Sequence, residues 1–347
     1  MFKRHTTRLA AAVVAAGAIC ALGAASAYAA PAGWSGRIGP VPRAFTNASP
    51  ALTTVTFGNS AQNQTLVAWK GDGDAHIFYQ ASPTIGVKKS WSAKADVPGA
   101  ASTEAPAIAS YRDPNGREAV LAVWRGNGGL VQYAQGETEA GQKIVWTSVA
   151  TLPVNLYSTT DAAPAVFFAQ DRYVAVVAYR GPHEHIRFIE GVPSHRGFVW
   201  SASQEVSPTG VANSGPSIAE LQTSTGHGLL GLFWRDKATG GISYASTTDP
   251  LAAAPNVTWT IGDVPGAKTS DNPAASALGP HGTGALMLAY KAAHGAHINY
   301  QTLTTSGWST PAPVPSTSTV YGPALIRGEL ATTSASSAGN IFFHVFS

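Results

Sequence analysis

The chain carries little charge and almost no cysteine. Of 347 residues, only 12% are Asp, Glu, Lys or Arg, and Cys20 is the one cysteine. A lone thiol excludes an intramolecular disulfide framework, so packing alone must hold the fold. The formal excess of three positive charges is too small for a nucleic-acid or anionic-membrane footprint. A phosphate-cradling glycine loop, a nucleophile elbow and a metal-ligand cluster are also missing. The "HEH" at His183–His185 lacks the i, i+4 spacing of a helical zinc motif. Neither a metal nor a cofactor is therefore expected. Low charge does not make the chain disordered, because 44% of it is hydrophobic. Its polar share falls on turn-forming residues, as a fold of many short strands requires.

The first 29 residues read as a leader. Lys3, Arg4 and Arg8 precede an apolar run, and Ala27-Tyr28-Ala29 supplies a small-x-small cleavage site. The apolar run is too short to span a bilayer comfortably. Ile19 before Cys20 is too bulky for a lipid-attachment site, and there is no twin-arginine pair. Residues 1–29 are thus expected to be a signal peptide removed on secretion. Residues 30–347 are expected to form one soluble, monomeric domain with no membrane or nucleic-acid partner.

Three landmarks recur in fixed order along that domain, about 50 to 60 residues apart. The first is a proline opening a short apolar run: Pro50, Pro106, Pro164, Pro216, Pro273 and Pro323. The second is an aromatic–basic pair: Trp69-Lys70, Trp124-Arg125, Tyr179-Arg180, Trp234-Arg235 and Tyr290-Lys291. A strand centred on Tyr79, Tyr133, Phe188, Tyr244, Tyr300 or Phe343 follows it. The third is a tryptophan before Ser or Thr: Trp34, Trp91, Trp146, Trp200, Trp259 and Trp308. All nine tryptophans occupy landmark positions.

Each unit reads as four short strands, A to D. In residues 105–153 these are "APAIASY", "AVLAVWRG", "LVQYAQ" and "IVWTSVATLP". Runs such as Leu121-Ala122-Val123-Trp124 are apolar on both faces, so each sheet must be covered on both sides. The fold class is therefore all-β: a six-bladed β-propeller with four antiparallel strands per blade. The mature chain opens on a strand D, "GWSGRIGPVP", and ends on strands A to C. The N-terminal strand D should complete the C-terminal blade and close the ring.

The strand D tryptophans are expected as blade-to-blade anchors, and the strand C aromatics as core. The aromatic–basic pairs leave two readings open. Each cation can latch the turn onto the D–A connection, where Glu104 matches Arg125, Asp161 matches Arg180, Asn213 matches Arg235 and Asp271 matches Lys291. Alternatively, each pair forms a sugar subsite, in which the aromatic face stacks on a pyranose and the polar groups bond its hydroxyls. The histidines at the start of strand C (His76, His185 and His297) lie on separate blades and read as solvated turns.

The units "AWKG…I-x-Tyr…Trp-Ser…Val-Pro-Gly-Ala…Pro-Ala" resemble secreted bacterial propellers related to six-bladed, fucose-lectin-like proteins and, remotely, the sialidase superfamily. The lectin resemblance implies sugar sites between blades built from Arg, a carboxylate and aromatics, and Arg187 and Glu190 in "HIRFIEG" are similar to these. Sialidase Ser-x-Asp-x-Gly-x-Thr-Trp boxes are missing from the segments before the strand D tryptophans. The resulting expectation is a secreted, non-catalytic propeller with an extracellular glycan as partner. A protein-binding or structural propeller, or a glycan-active hydrolase or lyase with its site on the central rim, are the alternatives.

Overall fold

The computed structural model describes residues 33–346 except 59–61, 86–89, 154–164, 170–173, 195–196, 207–210, 223–227, 248–256, 279–284 and 335–338. The expected signal peptide and Asp161 lie outside these residues. Six antiparallel sheets follow one another along the chain. Blade 1 comprises Ala51–Val55, Gln64–Lys70, His76–Ser82 and Ala95–Ala101. Blade 2 comprises Ala107–Arg112, Glu118–Arg125, Val131–Glu139 and a split fourth strand, Lys143–Trp146 with Ala150–Thr151. Blade 3 repeats this split: Ala165–Ala169, Val174–Arg180, Ile186–Ser194, and Gly197–Trp200 with Gln204–Glu205. Blade 4 comprises Ser217–Gln222, Gly228–Arg235, Gly241–Thr247 and Thr260–Lys268. Blade 5 comprises Ala274–Leu278, Ala285–Lys291, Ile298–Thr304, and Gly307–Trp308 with Ala312–Pro313. Ala324–Ile326, Glu329–Thr333 and Ile341–Val345 form strands A to C of blade 6. Each strand A contacts the strands A of both neighbouring blades, and these contacts close a ring around the axis.

The two chain ends complete blade 6 together. Ser35 N–H donates to Val345 O (2.7 Å), Ile38 and Phe343 exchange both backbone bonds (2.8 Å each), and Val41 N–H donates to Ile341 O (2.9 Å). Further along, Thr46 N–H reaches Gly339 O at 3.1 Å. The expected closure is present.

Six hydrophobic clusters fill the six blade interfaces, and each receives one strand D tryptophan from the later blade. That tryptophan packs on the strand C aromatic of the blade before it. The ring centroids are 5.6 Å apart for Trp146 and Tyr79, 5.3 Å for Trp200 and Tyr133, and 5.4 Å for Trp259 and Phe188. They are 6.3 Å apart for Trp308 and Tyr244, 5.5 Å for Trp34 and Tyr300, and 5.6 Å for Trp91 and Phe343. Such aromatic pairs contribute about 0.5–1.5 kcal/mol beyond the area they bury. The repeat in the sequence is thus the interlock between sheets.

The hydroxyl residue after the tryptophan has a separate job. In five blades it breaks strand D by pairing reciprocally with strand C. Ser92, Thr147, Ser201, Ser309 and Ser35 each donate a backbone N–H to the carbonyl of Ala81, Gln135, Glu190, Thr302 or Val345. Their hydroxyls accept the backbone N–H of the same partners at 2.8–3.1 Å. Strand D therefore turns outward after its tryptophan without leaving a buried N–H unpaired. This accounts for the two-part strand D where the sequence suggested one.

Strand A of every blade supplies three residues to the wall of an axial cavity of about 300 Å³. Leu52, Ile108, Val166, Ile218, Ala275 and Leu325 form an apolar ring within it. Beyond the strand A starts, the D–A connections converge. Gly215 N–H donates to Asn272 Oδ1 (2.8 Å). A Cβ on Gly322 would meet Asn272 O at 2.5 Å and Ser49 Oγ at 3.1 Å.

Candidate functional site

The strand B aromatics are interior residues. Trp69, Trp124 and Trp234 are 0% exposed, Tyr290 1% and Tyr179 3%. Trp124 Nε1 donates to Gln132 Oε1 (3.1 Å), and Tyr290 Oη donates to Gln301 Oε1 (2.9 Å). Burial pushes the Tyr290 phenol up to about 12. Their ring faces are closed to a ligand, so of the two readings left open for the pairs, burial leaves no face for the sugar-stacking one. The physical reason is the propeller itself: both faces of each sheet are covered, and each of these strand B aromatics packs into the interface with the preceding blade.

The cations do reach the rim, and four of the five are turned onto protein groups. Lys70 Nζ donates to Asn47 Oδ1 (2.7 Å), and Lys291 Nζ donates to Val320 O (2.7 Å). Arg125 Nη1 bonds Thr103 Oγ1 (3.2 Å) and lies 3.8 Å from Glu104, the partner expected from the spacing. Arg180, buried, binds Glu184, which Lys237 of the next blade also binds. Glu184 and His183 both adopt positive φ to make this bridge. The Asn213–Arg235 match is a backbone one, Asn213 N–H to Arg235 O at 2.9 Å. Asp271 does not bond Lys291 directly. Burial raises its carboxyl above the usual range, while the N–H groups of Asn272 and Gly322 and the charges of Lys291 and Arg235 oppose that rise.

One set of latch residues escaped the sequence reading. Thr46, Ser102, Thr269 and Thr319 stand four residues before the strand A prolines and are at most 1% exposed. Each hydroxyl bonds the backbone two residues on, to Ala48, Glu104, Asp271 or Tyr321. The Ser/Thr-x-x-x-Pro spacing was the available signal.

The glycine after three of the cations is explained by space. A Cβ on Gly71, Gly126 or Gly181 would collide with Phe78, Gln132 or Arg187 respectively. These three residues are equivalent, one place after the first buried aliphatic of strand C. Where that place holds the smaller Ser243 or Asn299, the glycine is replaced by Asp236 or Ala292. The same place faces strand D. Lys94 lies over the Phe78 ring (3.6 Å), Arg37 lies over Phe342 (4.0 Å), and Ser243 donates to Asp263 (2.8 Å).

In blade 3 this position builds a polar fork. Arg187 Nη1 bonds Glu205 Oε2 (3.0 Å), Nε bonds Ser203 Oγ (3.0 Å) and Nη2 bonds Ser203 O (3.3 Å). A ring nitrogen of His185 meets the other Glu205 oxygen at 3.0 Å, and Tyr179 Oη bonds Ser203. The Arg187 and Glu205 side chains remain 26% and 33% exposed. The carboxylate is Glu205 and not Glu190, because residues three apart on a strand point to opposite faces. Guanidinium, imidazole and carboxylate held at one exposed point can donate to and accept from a single vicinal diol.

No family model and no curated protein matches this chain. Solved structures do. SapL1 lectin in complex with α-methyl fucoside superposes with a TM-score of 0.56 at 13% identity, covering 88% of this chain and 94% of its own. The Aleuria aurantia lectin in complex with α-methyl-L-fucoside gives 0.55 at 14%, covering 86% and 91%. The NanB sialidase from Streptococcus pneumoniae gives 0.55 at 11%, covering 89% and 69%. At these identities the likeness is one of fold.

Proposed function

We propose that this chain is a secreted, non-catalytic carbohydrate-binding propeller whose partner is an extracellular glycan. The supporting observation is the Arg187–Glu205 fork. Its groups are already oriented by Ser203 and Tyr179, so little side-chain ordering is left for binding to impose. The lectins of like fold carry methyl fucosides, which makes a fucosylated glycan the first ligand to try. The leader at residues 1–29 supports export. The aromatic–basic pairs act as latches between the B–C turn and the D–A connection, so they brace the rim rather than stack on sugar.

A glycan array followed by calorimetry with methyl α-L-fucoside tests this reading. The native chain should bind at least one array glycan, and Arg187→Ala should weaken that binding about tenfold or more, the scale of a lost charge-assisted bond. Lys70→Ala should leave it unchanged. Silence across the array, with no heat from simple sugars at millimolar concentration, would remove the proposal in favour of a structural or protein-binding propeller.

A further inference from the structure

Blade 2 carries two Asn-Gly pairs, in the turns at the two ends of its strand B. Asn115–Gly116 lies in the A–B turn and Asn127–Gly128 in the B–C turn. Asparagine is thermally labile, and most so before glycine, whose backbone nitrogen can attack the side-chain amide with no Cβ in the way. Both asparagines are exposed. Both glycines have positive φ, +77 at Gly116 and +88 at Gly128, and a Cβ on either would meet nothing within 4 Å. Local sequence and steric access are thus alike at the two places. The hydrogen bonds differ.

Asp113 locks the first pair. Its carboxylate accepts Asn115 N–H (2.9 Å) and Arg117 N–H (2.8 Å) at Oδ1, and the Asn115 Nδ2 amide (3.3 Å) and Arg117 Nε (3.2 Å) at Oδ2. Its backbone carbonyl accepts the Gly116 N–H at 2.8 Å. The attacking nitrogen and the leaving amide are both engaged, so neither swings toward the other without breaking a bond.

The second pair has no such lock. The B–C hairpin closes around it, Gly126 N–H donating to Leu130 O (2.8 Å) and Gly129 N–H to Gly126 O (3.1 Å). Among the described residues, neither the Asn127 side chain nor the Gly128 N–H has a hydrogen-bond partner. Blade 1 places Asp72 at the matching point, since Lys70-Gly71-Asp72-Gly73 corresponds to Arg125-Gly126-Asn127-Gly128. Its turn is closed by the like bond, Gly71 N–H to His76 O at 2.9 Å. This corner of a blade therefore accepts a carboxylate.

We propose that Asn127 is a self-modification site, which deamidates in the folded protein through a succinimide with Gly128 while Asn115 is spared. The Gly128 nitrogen bonds to Asn127 Cγ, the Cγ–Nδ2 bond breaks, and ammonia leaves with the proton that the nitrogen gives up. Water then opens the ring. Attack at Cγ restores the chain with Asp, the residue that blade 1 already has. Attack at the main-chain carbonyl routes the peptide through Cβ and Cγ (isoaspartate), which lengthens the corner by one bond. Arg125 O, just before that corner, accepts Thr103 N–H (3.2 Å) and the Ser102 hydroxyl (3.1 Å). The isoaspartyl form loosens this latch between the B–C turn and the D–A connection, whereas the aspartyl form keeps it.

Ageing the native chain in warm, mildly alkaline buffer and mapping its tryptic peptides tests the assignment. Trypsin leaves Asn127 in Gly126–Lys143 and Asn115 in Asp113–Arg117, and each is the only asparagine of its peptide. Gly126–Lys143 should gain the mass of an amide-to-carboxylate exchange and split into two chromatographic forms. Asp113–Arg117 should lag about tenfold or more, the scale of the hydrogen bonds that must break first. Asp113→Ala should raise the Asn115 rate toward that of Asn127 and leave Asn127 as it was. Asn127→Gln should keep its peptide unmodified over the same period. No mass gain at Asn127, equal rates at the two native sites, or a mass gain that persists in Asn127→Gln would each overturn the proposal. Asn127→Asp should match the denaturant midpoint of the fresh chain and the isoaspartyl fraction should fall below it; an isoaspartyl fraction as stable as the fresh chain would overturn the loosened latch.

Discussion

Single side chains in this ring are chosen by what stands across the blade interface or the next strand. His344 is an example, fully buried on strand C of blade 6. Blades 1 and 5 place Gln80 and Gln301 at the equivalent point, and each donates Nε2 to a strand D carbonyl, of Ser92 at 2.7 Å and Ser309 at 2.8 Å. Burial holds the His344 imidazole below its ordinary value, the Arg37 charge adds to this, and a contact with the Ser35 backbone opposes it. The unfolded chain therefore binds more protons than the folded one just below about pH 6.5. Stability contributed by neutral His344 is complete above that pH and falls as the solution is acidified. Buried Asp271 and Glu329 act with the opposite sign, since their raised carboxyls favour the folded form at lower pH. His344→Gln should keep those carboxyl effects and lose the histidine one. Melting temperatures between pH 7 and 5 should then fall less in the variant than in the native chain; parallel curves would refute the assignment.

At the level of the strand, the Trp-Ser pair combines two functions that sequence alone runs together. The tryptophan reaches the preceding blade, while the hydroxyl accepts a strand C amide and lets strand D bend. Ser309→Ala leaves the Thr302 amide without its 3.0 Å acceptor. The expected cost is about 1–3 kcal/mol, the penalty of an unsatisfied amide, and guanidinium titration measures it. Ser309→Thr should recover most of that loss, because Thr147 makes the same bond in blade 2. Strand order and the tryptophan anchors were legible in the sequence because each is written six times, and the closure because the repeat opens on a strand D and ends on a strand C. The exposure of the strand B aromatics was not legible, since a run apolar on both faces looks the same whether or not a ligand covers one of them. Glu205 was hidden for another reason. It follows Arg187 after an irregular bend in strand D, so no fixed spacing connects the two.

The whole ring depends on a seam made without a covalent link. Its tightest point is Gly339, which has φ +59 and whose Cβ, if present, would overlap Thr46 backbone. Gly339→Ala should therefore both strain the turn and push away the segment that brings Trp34 to the interface of blades 5 and 6. A loss of about 2–4 kcal/mol follows from strain plus broken closure. Denaturant midpoints read it directly, and limited proteolysis near Thr46 should accelerate with it. An unaltered midpoint would mean that blade 6 stands without its borrowed strand.

That seam also dictates the order of events during biosynthesis. The ribosome makes Trp34–Thr46 before blades 1 to 5 and their partners Gly339–Val345 after them, so five blades must emerge before the earlier segment finds its neighbours. Until then, the fifth blade offers Tyr300 with no indole beside it. Nascent molecules are thus most prone to pairing with one another during that interval, by lending the waiting strand to a different copy.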